Sequence, residues 1–251
     1  MSQSPKARLL AKIMTILKKK YDAPAGRAEL PVLEHLIMAI LSDGATTEKV
    51  NAVFKRLKQN YFDWNEVRVS AVVELQDQLA ELPDPEHRAI RLKSALKFIF
   101  ETTYGFDLEP LTKIPMKEVA VRFEKMPHVS EYVVNRVIRD GLGGTAMPLD
   151  TAAVRVLKRV GVIDDKTTPQ VLSASLARQI PRAKSFEFCH VLAELAAEFC
   201  AVSEPRCKQC CLLEFCPTGR RRLAELQAAA AAAAKARRAG AKGKKQRSKA
   251  R

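Results

Sequence analysis

Four cysteines near the carboxyl-terminal end of the chain have a spacing that suits a metal centre. The pattern C-x6-C-x2-C-x5-C occupies 17 residues and is formed by Cys200, Cys207, Cys210 and Cys216. Four thiolates this close in sequence can converge on one centre, and thiolates are ligands of both zinc and iron–sulfur clusters. Cys189 and Cys211 do not fit the pattern, and we expect them to be packed, unreactive thiols.

The spacing leaves two kinds of metal centre open. Structural zinc usually takes two short-spaced cysteine pairs, whereas here Cys207 and Cys210 form the single such pair. A four-iron cluster has its corners spread over a larger volume, so it accommodates wider and unequal spacings more easily. The spacing alone therefore favours an iron–sulfur cluster modestly over zinc.

The elements that must position these cysteines are predicted to be helices. A chain of 251 residues with 47% hydrophobic and 28% charged side chains can bury the core of one or two lobes. Apolar residues recur at helical spacing in segments 9–17, 50–57 and 92–99, and aromatic content is only 6%. We predict an all-α protein of about ten short helices joined by short turns.

Positive charge is concentrated in the last part of the chain. The net charge is +15, but residues 220–251 hold 12 basic side chains and one acidic one, which leaves a net of +4 for residues 1–219. This segment is alanine-rich and then Lys/Arg/Gly-rich, so we expect a disordered tail in which the alanine run forms helix only transiently. Dense positive charge favours binding to a phosphate backbone, and a merely solvated tail is the alternative.

The chain carries no signal for a membrane or for secretion. The apolar stretch at residues 32–41 contains Glu34 and His35 and is shorter than the ~20 residues that cross a bilayer. The amino-terminal segment lacks a long apolar region and a small-residue cleavage site. We therefore expect a cytoplasmic protein with reduced cysteines and no membrane partner, with a mitochondrial-type presequence as the weaker alternative.

A longer segment resembles a known family. The segment MPHVSEYVVNRVIRDGLGGTAMPLDTAAVRVLKR at residues 126–159, together with the cysteine spacing, resembles the endonuclease III family of helix-hairpin-helix base-excision DNA glycosylases. The resemblance extends from the first helix to Cys216 and includes LSDGATT at residues 41–47 and DWNEV at residues 63–67.

The resemblance implies a fold of two helical lobes with DNA against the cleft between them. Residues 28–150 would form a six-helix barrel with the helix-hairpin-helix, and residues 1–27 with 151–199 would form the second lobe. Residues 200–216 would form the cluster loop, and residues 217–251 the basic tail. It further implies a 4Fe-4S cluster on the four spaced cysteines, with zinc as the alternative, and a monomer that binds double-stranded DNA in the nucleoid.

The resemblance places the catalytic carboxylate on Asp150, in the sequence P-L-D-T. Breaking an N-glycosidic bond builds positive charge on the sugar, so a fixed negative charge beside C1′ stabilises the transition state and can also activate water. Asp150 would equally serve as the N-cap of the helix that follows, and both roles are compatible.

The family's strand-nicking members carry a lysine where this chain has Tyr132. A phenol cannot form a Schiff base, so lyase chemistry is unavailable here unless another amine, such as Lys125, reaches C1′. Some monofunctional relatives that remove thymine or uracil from mismatches also have tyrosine at this position. Tyr132 would then line the base pocket, and the alternative is a packing residue in a protein that has lost activity.

Two further departures concern DNA contacts. The hairpin turn Pro127, His128, Val129 and Ser130 has His128 and Ser130 where the family has glycines that let backbone amides approach a phosphate. Gly44 stands where family members place a glutamine that fills the hole left by the flipped base, and a glycine cannot act as a wedge. We predict a monofunctional DNA glycosylase, with a non-catalytic protein that binds damaged or distorted DNA as the alternative and a bifunctional glycosylase/lyase as the third.

Overall fold

The computed structural model describes residues 5–22, 29–164 and 166–249. Within those residues the chain is all-helical and has no strands, which confirms the predicted fold class. The twelve helices found there are α1 Pro5–Lys20, α2 Val32–Ser42, α3 Thr47–Asn60, α4 Trp64–Val69, α5 Val72–Gln78, α6 Pro85–Thr103, α7 Met116–Glu124, α8 Glu131–Arg136, α9 Thr151–Val160, α10 Pro169–Gln179, α11 Arg182–Glu198 and α12 Pro217–Lys249. None of these helices combines the length and the apolar character of a membrane span.

Helix α2 is the centre of the first hydrophobic core. Ten of its 11 residues are buried, as expected for a helix that is apolar on nearly every side and surrounded by others. Its Ile37 and Ile40 are fully buried together with Leu57 of α3, Leu92 of α6 and Phe123 of α7. This core runs from Val32 to Ala146 and carries both helices of the hairpin, α7 and α8.

A second core joins the two ends of the folded chain. Ile13 and Leu17 of α1 are fully buried in it with Leu157 of α9 and Phe188 and Leu192 of α11. Helix α9 has a strongly one-sided distribution of apolar residues, so one face packs into this core while the other remains polar. Ala146 is the last residue of the first core, and the next residue, Met147, belongs to the second core. The segment between α8 and α9 therefore passes from one core to the other. The boundary predicted at residues 27 and 28 lies outside the described residues.

The carboxyl-terminal segment differs from the disordered tail predicted from sequence. It is a continuous helix, α12, from Pro217 to Lys249. Alanine, arginine, lysine, leucine and glutamine are all strong helix formers, so local propensity favours helix even where no core supports it. Residues 224–233 are exposed, in agreement with the prediction that this segment contributes nothing to a core.

Candidate functional site

Asp150 lies at the junction of the two cores and caps α9. Its Oδ1 accepts a 2.6 Å hydrogen bond from the backbone N–H of Ala153, and its Oδ2 accepts a 3.3 Å bond from the N–H of Gly44. The side chain is only 5% exposed, and this burial raises the pKa of the carboxyl above its usual value. The N-cap prediction is therefore correct, and the same carboxylate also faces a cavity.

The loop between α2 and α3 is fixed against the start of α9. Asp43 Oδ1 accepts hydrogen bonds from both the N–H and the Oγ1 of Thr151, each 3.3 Å long. The buried Arg88 guanidinium donates to the carbonyl oxygens of Ile40 at 2.8 Å and Asp43 at 2.6 Å. Gly44 has a φ of +71°, which disfavours any other residue there, so the loop presents backbone rather than a side chain to the cleft.

Tyr132 lies in α8 and lines the same cavity as Asp150. Its phenol oxygen accepts a 2.7 Å hydrogen bond from Nη1 of Arg136, one helical turn later. Burial raises the pKa of Tyr132 to about 12, so the phenol stays protonated in the physiological range. The structure thus places an uncharged hydroxyl group on the wall of the cavity.

A buried ionic cluster lies behind Tyr132. Arg139 makes a two-pronged interaction with Asp140, through Nε to Oδ1 at 2.6 Å and Nη2 to Oδ2 at 3.0 Å. Nε of Arg136 lies 3.4 Å from the same carboxylate, which is 5% exposed. One carboxylate therefore holds two guanidinium groups, and the cluster carries a net positive charge toward the cavity.

The cavity itself has a volume of about 70 Å³ and a mixed polar and apolar lining. Phe186 and His190 of α11 form part of the wall, with parallel rings whose centroids are 6.4 Å apart. The Arg139 guanidinium lies 5.1 Å from the centroid of the Phe186 ring. A flat face next to hydrogen-bonding groups suits an aromatic heterocycle such as a nucleobase.

Sequence reasoning did not identify several cavity residues. They lie at the end of α8, in the π-helical turn that follows it and on α11, and they are Arg136, Arg139, Phe186, Cys189 and His190. A signal existed for Arg136, because residues four apart on a helix are neighbours and Tyr132 was already a candidate. Cys189, predicted to be a packed thiol, is half-buried and lies within 3.5 Å of the Met147 sulfur.

The hairpin turn precedes α8. His128 has a φ of +64°, the left-handed conformation that favours glycine, so the turn keeps the backbone of a glycine position with another residue in it. Ser130 caps α8, since its Oγ accepts a 3.4 Å hydrogen bond from the N–H of Val133. Pro127 and His128 are exposed, and Val129 is half-buried against the first core.

The four spaced cysteines line one small, almost wholly apolar pocket between α9, α11 and the start of α12. Two of their sulfurs receive N–H donors: Nη1 of Arg159 lies 3.3 Å from Cys200 Sγ, and the N–H of Gly219 lies 3.2 Å from Cys216 Sγ. Such donors stabilise thiolate ligands, so the donor set fits an iron–sulfur cluster. Among the described residues, no three ligating side chains converge closely enough to be recognised as a single-ion site.

No disulfide bond joins any of the six cysteines in the described residues. Cys211 adjoins Cys210 and packs against the second core without lining the cysteine pocket. It therefore stays outside the predicted ligand set.

Two endonuclease III proteins resemble the chain in sequence. The protein from Bacillus subtilis is 26% identical over 189 residues, which cover 75% of this chain and 82% of that protein. The protein from Synechocystis is also 26% identical, over 218 residues that cover 85% of this chain and 94% of the relative. No protein-family model matches the chain.

Solved structures share the fold. An endonuclease III in a non-covalent complex with DNA superimposes with a TM-score of 0.66 at 22% identity, covering 88% of this chain and 99% of that chain. A thermostable thymine-DNA glycosylase gives a TM-score of 0.58 at 20% identity, covering 86% and 97%. The chain is therefore similar in sequence to endonuclease III proteins and shares their helical fold.

Proposed function

We propose that the protein is a monofunctional DNA glycosylase of base-excision repair. It would bind double-stranded DNA, accept a flipped damaged or mismatched base in the cavity and hydrolyse the N-glycosidic bond. The observation that carries this proposal is the buried Asp150 carboxylate, fixed by two backbone amides at the wall of a cavity beside Tyr132. Similarity to endonuclease III and to a thymine-DNA glycosylase supports the reaction class.

Asp150 performs the chemistry in this proposal. As the bond to the base breaks, positive charge develops at C1′, and a preorganised carboxylate stabilises it without having to reorient. The ionised carboxylate can then accept a proton from the water that adds to C1′. Its raised pKa makes it a better base than an exposed aspartate would be.

Tyr132 accounts for the absence of a lyase step in the proposal. Strand cleavage by this class of chemistry needs an amine that attacks C1′ and forms a Schiff base. The protonated phenol of Tyr132 cannot form an imine. Base release would therefore leave an intact abasic strand.

The DNA contacts would come from the hairpin turn, the Gly44 loop and the basic tail. Backbone amides of residues 127–130 would face one phosphate, and the tail would add sequence-independent contacts to others. The cysteine pocket would hold a 4Fe-4S cluster through Cys200, Cys207, Cys210 and Cys216. When bound, such a cluster would order residues 200–216 next to α9, and it takes no part in the bond-breaking step.

A non-catalytic protein that binds distorted DNA is the second candidate function. Two observations favour it: His128 occupies a left-handed glycine position in the hairpin turn, and Gly44 offers no side chain to fill the gap left by a flipped base. Such a protein would bind the lesion and leave the base attached.

One experiment separates the candidate functions. Duplexes containing uracil, thymine, oxidised or alkylated bases are incubated with the protein, and free base and strand scission are scored separately. Free base without scission, and without a borohydride-trapped covalent complex, is the expected result. Trapping would indicate a lyase, and binding without free base from any duplex would favour the non-catalytic function.

The same preparation tests the cofactor. Protein purified without oxygen should be brown, absorb near ~400 nm and contain about four iron atoms per chain, as 4Fe-4S proteins do. Colourless protein that contains one zinc ion would overturn the cluster proposal.

A further inference from the structure

We propose that Tyr132, held by Arg136, donates a hydrogen bond to the base carbonyl oxygen next to the glycosidic nitrogen and so stabilises the departing base. This inference rests on the proposed glycosylase function. It makes Tyr132 a catalytic residue and Arg136 a positioning residue. It also commits the protein to bases that carry such a carbonyl, namely pyrimidines and 8-oxopurines, because other purines have no carbonyl next to the glycosidic nitrogen.

The direction of the hydrogen bond between the two side chains supports the proposal. A guanidinium group has donors and no acceptor, so the 2.7 Å bond from Arg136 Nη1 must be accepted by the phenol oxygen of Tyr132. The phenol keeps its own proton for a different partner. Since Tyr132 lines the cavity, a base in that cavity is the partner the proposal assigns.

Because the phenol stays protonated, it can donate a hydrogen bond without transferring its proton. With its pKa near 12, Tyr132 retains its proton at neutral pH and can share it with a developing anion. The positive charge of Arg136 behind the phenol polarises the O–H bond and strengthens the hydrogen bond that it donates.

The two sides of the cavity match the charges that the reaction creates. When the bond between C1′ and the base breaks, its electron pair moves to the base, and the negative charge spreads to the adjacent carbonyl oxygen. Asp150 would stabilise the cationic sugar, while Tyr132 and Arg136 would stabilise the anionic base. Water then bonds to C1′ and loses a proton to Asp150, and the base anion takes a proton from solvent.

The ionic cluster holds Arg136 in place and allows it to be tested. Asp140 bonds Arg139 at 2.6 and 3.0 Å as well as approaching Arg136, so removal of Arg136 still leaves Asp140 paired. We therefore expect Arg136→Met to fold. Its removal should leave the phenol in place but no longer bonded to a cation.

A leaving-group series tests the inference. Single-turnover base release is measured for duplexes carrying 5-fluorouracil, 5-bromouracil, uracil or thymine opposite guanine, in order of decreasing acidity of the departing base. Tyr132→Phe should slow thymine release by about tenfold to a hundredfold, the range expected for a hydrogen bond to a charged group. Release of 5-fluorouracil, the best leaving group, should fall much less.

A double-mutant cycle tests whether Arg136 acts through Tyr132. Arg136→Met should make the rate of base release depend more steeply on the acidity of the departing base, as Tyr132→Phe does. The Tyr132→Phe/Arg136→Met protein should be no slower than Tyr132→Phe alone. The matched controls are Tyr104→Phe and Arg178→Met, which change exposed side chains and should leave all four rates unchanged.

The outcomes distinguish this inference from the proposed function. If Tyr132→Phe slowed the release of all four bases equally, the phenol would act on Asp150 or on water and not on the departing base. If the four rates were unchanged, the phenol would have no part in the reaction. Either result would overturn the inference. Release of purine lesions that lack an 8-carbonyl, and of no other base, would also overturn it, while leaving the glycosylase function intact. Absence of any base release by the wild-type protein would refute the function itself.

Discussion

The Asp150 cavity and the hairpin turn at residues 127–130 differ in how firmly their polar groups are held. In the cavity, Asp150 and Tyr132 are each fixed by hydrogen bonds from neighbouring backbone or side chains. In the turn, the exposed His128 sits in a conformation that costs a non-glycine residue about 1 kcal/mol or more. The difference indicates that the structure constrains the groups proposed for chemistry more tightly than the groups proposed to hold DNA.

The largest expected effect comes from removing the charge in the cavity. Asp150→Asn should lower the rate of base release by at least about a hundredfold, the usual loss when one preorganised electrostatic group is removed. Affinity for DNA should be equal or better, because a negative charge near the backbone is removed. Single-turnover kinetics and a binding titration measure the two quantities separately.

Asp63→Asn is the matched control for that variant. Asp63 is also a helix N-cap, with a 2.8 Å bond from the N–H of Glu66, but it is exposed and does not line the cavity. Asparagine caps as well as aspartate, so both variants should fold. Equal rates in Asp150→Asn and Asp63→Asn would show that the cavity charge has no catalytic part.

The next largest effect is expected on the affinity for DNA and not on the rate of base release. Truncation after Gln227 removes nine lysines and arginines but keeps the contacts of early α12, such as that of Arg222 with the Ser203 carbonyl. The slope of log Kd against log salt should fall by about 0.9 for each phosphate that the tail no longer neutralises. Base release at saturating DNA should not change.

A full-length variant with the same nine residues changed to glutamine is the control for chain length. Its slope of log Kd against log salt should equal that of the truncated protein if charge alone sets the salt dependence of binding. A salt slope like that of the wild type in both variants would mean that the tail does not touch DNA.

A smaller effect is expected in the hairpin turn. His128→Gly should raise the free energy of unfolding by roughly 0.5 to 1 kcal/mol, because glycine relieves the left-handed conformation. It should also tighten DNA binding by letting a backbone amide approach phosphate. Chemical denaturation measures the free energy of unfolding, and binding titrations measure the affinity for DNA.

Tyr104→Gly separates these two effects, since Tyr104 has a φ of +53° at the end of α6. It should gain similar stability without any gain in affinity. If both variants bound DNA equally well, the turn would have no special part in holding DNA, and the contrast with the cavity would lose its basis.

The smallest effect is the dependence of stability on pH. Burial raises the pKa of Asp150, so the folded protein binds this proton more tightly than the unfolded chain does. The resulting stabilisation is present below the unfolded pKa of about 3.9 and is lost as pH rises through the folded pKa. Asp150→Asn should therefore melt at a higher temperature than wild type at pH 7, with a difference that shrinks toward pH 4. A lower melting temperature at pH 7 would contradict this expectation.

Periodicity predicted the all-helical fold, and the sequence around Asp150 predicted one helix end. Asp150 was predicted to be an N-cap because it precedes a run of helix formers, and the structure has it as the cap. Ser130 also caps a helix, a role that was not predicted. Low complexity predicted only transient helix at residues 217–249, whereas the high helix propensity of alanine favours the continuous helix that the structure has there.

The rest of the cavity could not be predicted from sequence. Phe186 and His190 belong to α11, which contacts Tyr132 and Asp150 only through tertiary packing of chain segments more than 30 residues apart. Nor did the sequence show that Asp140 would hold Arg136 and Arg139 together, because such a cluster depends on the π-helical turn that follows α8.

The two amides that hold Asp150 come from separate halves of the molecule. Gly44 follows a helix of the first core, and Ala153 is part of the second. The carboxylate is therefore aligned only while the two halves remain docked. Low concentrations of denaturant should abolish turnover before circular dichroism detects any loss of helix, which makes turnover the earliest sign that the halves have separated.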